Sequence, residues 1–245
     1  MNKKYKNSPI IEAVCEFRFD PTSTWDPTIP GLLYERIKNN FPKKKKIQQH
    51  ELMFTIDTKA GLKQQQQLTI KERAQFLQED EKLFIQVDEN LLAINHLKPY
   101  SSWSNFFSII KDTFKIYQEI AGPKVIQRIG LRYINQIEIP QSSVELEDYF
   151  NFRPYVSDEL PQDLESIMAG VIFVFENGRD QAKVQLANRP SQQGKSVFVL
   201  DIDYFLAKPS TITSGDVSDW VDTAHNEVEK IFEGAITEKT REFFK

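Results

Sequence analysis

A strict two-residue alternation near the amino terminus constrains this chain more than any other feature. Between residues 10 and 19, one set of side chains is apolar and the intervening set is mostly charged. The apolar set is Ile11, Ala13, Cys15, Phe17 and Phe19, and the other set is Glu12, Val14, Glu16 and Arg18. Because successive side chains of a strand point to opposite faces of a sheet, this pattern predicts a strand with one buried and one solvated face.

Two longer stretches have the apolar spacing of amphipathic helices, with an apolar side chain roughly every 3.6 residues. The first, residues 101–121, contains Trp103 and ends at Gly122. The second, residues 216–232, contains Trp220 and is followed by Gly234. Glycine is common just past a helix end, so both stretches are predicted as helices that stop there.

Each long helix closes a stretch with the same order of predicted elements. Each stretch opens with a strand, at residues 10–19 and 125–139, continues with a short helix and several antiparallel strands, and ends with the long helix. We therefore interpret the chain as two similar α+β halves, residues 1–122 and 123–245, packed as one globular unit. This order is that of TATA-binding-protein-like and helix-grip folds, in which a curved antiparallel sheet has its long helices on one side. The likeness is topological and carries no function.

We predict one continuous antiparallel sheet with the Trp103 and Trp220 helices on the same side. Separate halves would each leave the apolar stripe of a long helix in water. Asn177 and Gly178 predict a tight hairpin between two strands of the second half. The lysines at positions 43–46 follow a proline and are interpreted as a solvated loop between a helix and a strand.

Composition and motifs exclude several classes of function. The formal net charge is -4, which argues against a dedicated binder of duplex DNA. Neither G-x-G-x-x-G nor G-x-x-x-x-G-K-[ST] occurs, so those two kinds of phosphate-binding loop are missing. His50, His96 and His225 lie far apart, and the single Cys15 cannot form an intramolecular disulfide. We expect no cofactor and no nucleic-acid partner.

The chain is expected to reside in a reducing cytoplasm. Its lysine-rich start does not continue as a signal peptide, because Pro9, Glu12 and Glu16 interrupt the apolar run that should follow. The longest apolar run, which contains residues 168–175, has 9 residues. A membrane helix needs about 20, so no membrane span is expected.

Three motifs carry a resemblance to a known family. Residues 8–13 read Ser-Pro-Ile-Ile-Glu-Ala and are followed by Glu16, Arg18 and Phe19. Residues 128–135 read Arg-Ile-Gly-Leu-Arg-Tyr-Ile-Asn, and residues 200–203 read Leu-Asp-Ile-Asp. With these motifs the chain resembles, over nearly its whole length, a sporadically distributed family of uncharacterised bacterial proteins. The resemblance implies no catalytic residues, and the patchy distribution implies an accessory role such as genome defence or mobile-element function.

The charged faces of two predicted strands supply the candidate binding residues. The first strand has Glu12, Glu16 and Arg18 on its polar face, and the opening strand of the second half has Arg128 and Arg132. If the two halves join through these strands, the charges face one another in a cross-strand ladder. We predict that Arg128 and Arg132 pair mainly with carboxylates of this chain, above all Glu12 and Glu16, rather than with a ligand. The favoured interpretation is an ion-pair seam that fixes strand register. The alternative is a polar patch where a ligand or partner docks.

Asp201 and Asp203 are the weaker candidates, for a metal site. They share one face of a predicted strand, so both carboxylates could reach one divalent ion. No third ligand is identifiable in the sequence, and carboxylates on an exposed strand face are usually solvated. We therefore expect no metal-dependent or nucleotide-dependent activity from this pair.

Two classes of function stay open at this point. The favoured hypothesis is a non-catalytic recognition or assembly protein that binds a protein partner, or another copy of itself, through its sheet face or a sheet edge. The alternative is an enzyme or small-molecule binder with a cavity between the sheet and the long helices. An apolar pocket with convergent polar groups would favour the alternative, and a packed core with a polar open face would favour the first.

Overall fold

A computed structural model shows nine strands and five α-helices among the residues it describes. The model describes residues 5–21, 25–57, 63–122, 125–162, 164–192 and 194–245, with the backbone alone for 49–57, 63–71 and 191–192. The strands are β1 (Ile10–Phe19), β2 (Lys43–Asp57), β3 (Lys63–Leu77), β4 (Leu83–Asp88), β5 (Leu91–Leu97), β6 (Ile126–Ile139), β7 (Met168–Phe175), β8 (Asp180–Gln192) and β9 (Lys195–Leu206). The helices are α1 (Ile29–Ile37), α2 (Trp103–Ala121), α3 (Leu146–Tyr149), α4 (Val217–Ala235) and α5 (Glu238–Arg241).

All nine strands belong to one antiparallel sheet, in the order β2-β3-β4-β5-β1-β6-β9-β8-β7. Strand β1 lies between β5 and β6, so the opening strands of the two predicted halves are hydrogen-bonded neighbours. The predicted α+β class with a large antiparallel sheet is confirmed. The outermost strands are β2 at one edge and β7 at the other.

The long helices α2 and α4 cover one face of this sheet. Phe17 of β1 packs against Phe114 of α2, with ring centroids 4.6 Å apart. Tyr204 of β9 packs in the same way against Trp220 of α4, at 5.6 Å. Cys15 is fully buried on this face, because β1 turns its apolar side chains toward the helices. Both long helices therefore lie on the same side of the sheet, as predicted.

The ends of the long helices follow local hydrogen bonding. Ser102 caps α2, since its hydroxyl accepts a hydrogen bond from the Asn105 amide, and Gly122 ends the helix with a φ of 72°. The prediction that Gly234 ends α4 is wrong, because the helix continues to Ala235. Ile236 then turns into extended backbone and bridges to Phe150. Among the described residues, no helix is both long enough and apolar enough to cross a membrane.

Two further segments have local sequence predictions, a hairpin turn at residues 177–178 and a loop at residues 43–46. Asn177 and Gly178 have positive φ angles of 54° and 83°, in the turn that joins β7 to β8, so the predicted hairpin is confirmed. The interpretation of residues 43–46 as a loop is wrong, because these lysines begin β2 and pair with β3. Ion pairs to glutamates neutralise part of their charge, including Lys45 to Glu81 at 2.5 Å and Lys46 to Glu72 at 2.5 Å.

Candidate functional site

The face of the sheet opposite the long helices carries the predicted charged residues. The strand register sets Glu16 beside Gly130, and Gly130 beside Phe205. The next row along the same face sets Arg132 beside Asp203. This open face therefore brings together charged side chains from β1, β6 and β9, which are distant in sequence.

Arg128 joins all three of these strands. Its guanidinium donates to Glu16 at 3.0 Å and to Asp203 at 2.7 Å. The same group lies over the ring of Phe205, 4.9 Å from the ring centroid. To reach these partners the side chain crosses directly over Gly130, where a Cβ would overlap the guanidinium. The Arg128 side chain can take this path because residue 130 is glycine, since a Cβ at this position would displace the guanidinium.

Arg132 has a different partner from the one predicted. Its Nε and Nη2 donate to the two carboxylate oxygens of Asp201 at 2.8 and 2.5 Å, a bidentate pair that raises the pKa of Arg132. The predicted pairing of Arg132 with Glu12 and Glu16 is thus wrong. Glu12 instead accepts a hydrogen bond from Asn95 of β5 at 2.9 Å. The register explains the difference, because the residue of β1 beside Arg132 is Val14, whereas β9 places Asp203 beside it and Asp201 two residues further on.

The remaining predicted residues complete a closed set of contacts. Arg18 donates to Glu16 at 2.7 Å, so Glu16 receives two arginines. Burial raises the pKa of the Asp203 carboxyl, and Arg128 and Arg132 oppose that rise. Arg18, Arg128 and Arg132 each meet a carboxylate of the same chain, as an ion-pair seam requires, whereas Glu12 accepts from the neutral Asn95 amide.

The view of Asp201 and Asp203 as a solvated pair is also wrong. Their side chains are only 17% and 24% exposed, and each carboxylate holds a guanidinium group. Within the described part of the chain, no group of three or more histidine, cysteine, aspartate or glutamate side chains could hold a metal ion. The pair therefore acts in this structure as the acceptor side of the seam.

An apolar surface that the sequence analysis missed lies on and beside β7. Ten large apolar side chains are exposed among the described residues, and eight of them fall between residues 155 and 174. These eight are Tyr155, Leu160, Leu164, Met168, Val171, Ile172, Phe173 and Val174. One signal in the sequence could have revealed them. In a sheet with one solvated face, a strand that is apolar at every position must expose apolar side chains.

The backbone of β7 pairs with β8 on one side only. The Ile167 amide donates to the Asn188 side chain of β8 at 2.9 Å, so it points toward β8. Because backbone groups of a strand alternate in direction, those of Met168, Gly170, Ile172 and Val174 point away from β8. With β7 outermost in the sheet, these amide and carbonyl groups face outward from the edge. We call this outward-facing strand, with its exposed side chains, the β7 edge.

Two hollows indent the described surface. One of about 1460 Å³ lies beside the loop that precedes β7 and is lined in part by Arg153, Tyr155 and Asn188. The other, of about 750 Å³, is lined in part by Trp25 and Lys44. Neither is lined by a residue of α2 or α4. Between those helices and the sheet lie the packed aromatic side chains of the core.

Comparison with known proteins adds no family to these observations. No protein-family model matches the chain, and no curated protein matches it.

Proposed function

We propose that this chain is a non-catalytic recognition or assembly protein that binds a protein partner through its β7 edge. The supporting observation is that β7 carries five of the ten exposed large apolar side chains within eight residues, and that the segment before it carries three more. Exposed apolar patches of this kind are typical of interaction surfaces. Unpaired amide and carbonyl groups at a sheet edge can also accept an additional strand, which adds main-chain hydrogen bonds to side-chain burial.

The open face is the less favoured docking surface. Arg128 and Arg132 are engaged by Glu16, Asp203 and Asp201, so a ligand would have to displace these carboxylates. A partner that breaks such a pair leaves one charge without its counter-charge, which is costly in a partly buried place. The β7 edge requires no such displacement. We therefore assign the seam to fold specificity and the edge to recognition.

The alternative of an enzyme or small-molecule binder is supported less well. It calls for a cavity between the sheet and the long helices, and aromatic pairs such as Phe17 with Phe114 occupy that space. Cys15 is an unfavourable nucleophile, because burial raises the pKa of its thiol. A cytoplasmic location, where a free thiol is stable, is part of the proposal, as is an accessory role in a bacterial cell.

We also propose that residues 1–122 and 123–245 are duplicated units in a TATA-binding-protein-like arrangement. Two observations support the idea. The opening strands β1 and β6 pair antiparallel at the centre of the sheet, as two equivalent units related by a two-fold axis would. Each unit also ends in a long helix on the same side of the sheet, α2 in the first and α4 in the second.

The test of the proposed function is affinity capture from the native host with three forms of the full chain. The forms are the wild type, Ile172→Lys and Leu32→Lys. Ile172 is 58% exposed on the β7 edge and Leu32 is 50% exposed on α1, so the second variant makes the same chemical change elsewhere. A protein captured by the wild type and by Leu32→Lys, lost with Ile172→Lys, and rebound by the purified chain would support the proposal. Equal binding by all three forms, or a bound metabolite instead of a protein, would overturn it.

A further inference from the structure

The β7 edge is self-complementary. We propose that its occupant is the β7 strand of a second copy of this chain, paired antiparallel about a two-fold axis through Val171. This inference rests on the proposed function, since it names the partner of the same edge. The axis runs perpendicular to the sheet, so the sheet continues from one copy into the next and the long helices of both copies stay on one side.

The main-chain groups are complementary in this arrangement. The outward-facing residues are Met168, Gly170, Ile172 and Val174, and a two-fold axis through Val171 maps this set onto itself. Met168 faces Val174 of the second copy, and Gly170 faces Ile172 of the second copy. Each outward amide therefore meets an outward carbonyl, and none of the four residues is left over.

Side-chain sizes are complementary in the same register. Gly170 lies opposite Ile172 of the second copy, and Ala169 lies opposite Phe173 of the second copy, so a small residue meets a large one on each face. The fold of one copy does not require glycine at position 170. A Cβ there would make an ordinary contact of 3.7 Å with Gln185, and its φ is not positive. The space beside Gly170 is explained by the isoleucine that faces it across the axis.

Charge does not prevent a second copy from pairing with β7. The chain has a formal net charge of -4, so two copies repel each other on average. From residue 166 to residue 175 there is no charged side chain, which makes this edge a place of little direct repulsion. The opposite edge is different, since β2 begins with Lys43, Lys44, Lys45 and Lys46. Lysines on an edge strand oppose strand addition, so the lysine-bearing start of β2 is less open to pairing than β7.

The apolar side chains of β7 contribute to the interface. Five of its eight residues carry large apolar side chains that are exposed in one copy, namely Met168, Val171, Ile172, Phe173 and Val174. A standard interface involves about 20–30 residues on each side, so pairing of β7 supplies the core of a small interface. Burial of these side chains adds to the main-chain hydrogen bonds of the strand pair.

The first experiment is the mass in solution of the purified full chain, by light scattering and sedimentation equilibrium at micromolar concentrations. We expect twice the 28.6 kDa of one chain. Ile172→Lys should raise the dimer dissociation constant at least about 10-fold, because pairing would bury an uncompensated charge. Leu32→Lys should leave the dissociation constant unchanged, and equal circular dichroism spectra show that both variants are folded.

The second experiment tests the register with cysteine variants under mild oxidation. Val171 faces its own copy across the axis, in a pair without backbone hydrogen bonds where the Cα atoms are about 4.5 Å apart, so Val171→Cys should form an intermolecular disulfide. Phe173→Cys is the matched control, since its two copies would be offset by four residues, or about 13 Å along the strands. Equal cross-linking of both variants, or none of Val171→Cys, would overturn the register.

The outcomes separate this inference from the proposed function. A monomeric wild type that still captures another protein through Ile172 would overturn the second copy as occupant and leave the proposed function standing. A dimer that survives Ile172→Lys would place the contact elsewhere and also overturn the inference. A dimer that Ile172→Lys dissociates and Leu32→Lys preserves would support it.

Discussion

Trp103 and His225 stack nearly parallel, with ring centroids 4.0 Å apart, and this contact joins α2 to α4. On the sheet side, His225 Nδ1 lies 3.1 Å from the Tyr133 hydroxyl. His225 Nε2 is buried and has no hydrogen-bond partner within the described chain. Burial lowers the pKa of His225 to about 4, so the imidazole between the two long helices is neutral at pH 7.

We expect the free energy of unfolding to fall as the pH drops from about 6.5 to about 4. In this window the unfolded chain binds a proton at His225, whose ordinary pKa is 6.5, while the folded chain excludes it. The folded pKa is the lower one, so the stability is present above 6.5 and is lost on acidification, by about 3 kcal/mol over the window.

Urea denaturation at several pH values measures this effect. His225→Gln is the control, since glutamine cannot titrate and the carboxylates contribute equally to both proteins. The two stability curves should diverge between pH 4 and pH 7. Parallel curves would contradict the assignment to His225.

Gly130→Ala should destabilise the fold through Arg128. The added Cβ would push the guanidinium away from Glu16 and Asp203, at a cost of about 1 to 3 kcal/mol. With Arg128→Ala already present, the cost should disappear, because nothing then crosses position 130. A double-mutant cycle in chemical denaturation measures this coupling.

Gly31→Ala is the control for that cycle. Gly31 lies in α1, where a Cβ would meet no heavy atom within 4 Å. Its free energy of unfolding should be unchanged or slightly higher. Additive effects of Gly130→Ala and Arg128→Ala would refute the crossing as the reason for the glycine.

Asp180→Asn should destabilise the packing of α4 on the sheet. This fully buried carboxylate accepts hydrogen bonds from Trp220 at 3.0 Å, Tyr204 at 3.3 Å and Arg179 at 2.6 Å. Removing the charge weakens all three, and we expect a loss of about 2 to 4 kcal/mol. Thermal melts and Trp220 fluorescence report the change, and the exposed Asp112→Asn on α2 should behave as wild type.

Calorimetric titration with Mg²⁺ and with Mn²⁺ should give no saturable binding at micromolar concentration. The carboxylates of Asp201 and Asp203 are held by Arg132 and Arg128, so a cation would have to displace a guanidinium to reach either one. Asp201→Asn should give the same baseline as the wild type. Micromolar binding that disappears in the variant would reopen the enzyme hypothesis.

Local patterns predicted the elements of this chain because the cause of each pattern is local. The alternation around Cys15 and the stripes around Trp103 and Trp220 each record which face of one element is buried. The partner of Arg132 could not be predicted in the same way. Asp201 lies 69 positions away, and only the order of β6 and β9 in the sheet brings it within reach.

The edge position of β7 was hidden for the same reason. The apolar run of β7 indicates that some of its side chains are exposed, but it is equally compatible with the centre of a sheet and with its edge. Its place is decided by where β8 and β9 pair, and those pairings join residues that are distant along the chain. Sequence patterns therefore indicated most elements and their apolar faces. They did not determine which strands are neighbours in the sheet.

The contrast between the two outer strands limits how far copies of this chain can associate. Strand addition at an open edge usually creates a new open edge, which is how filaments grow. Here the proposed pairing consumes both β7 strands and leaves only the lysine-bearing β2 strands at the outer limits of the joined sheet. In this arrangement association stops at two copies. The pairing of β7 that joins the copies therefore also fixes the number of copies in the assembly.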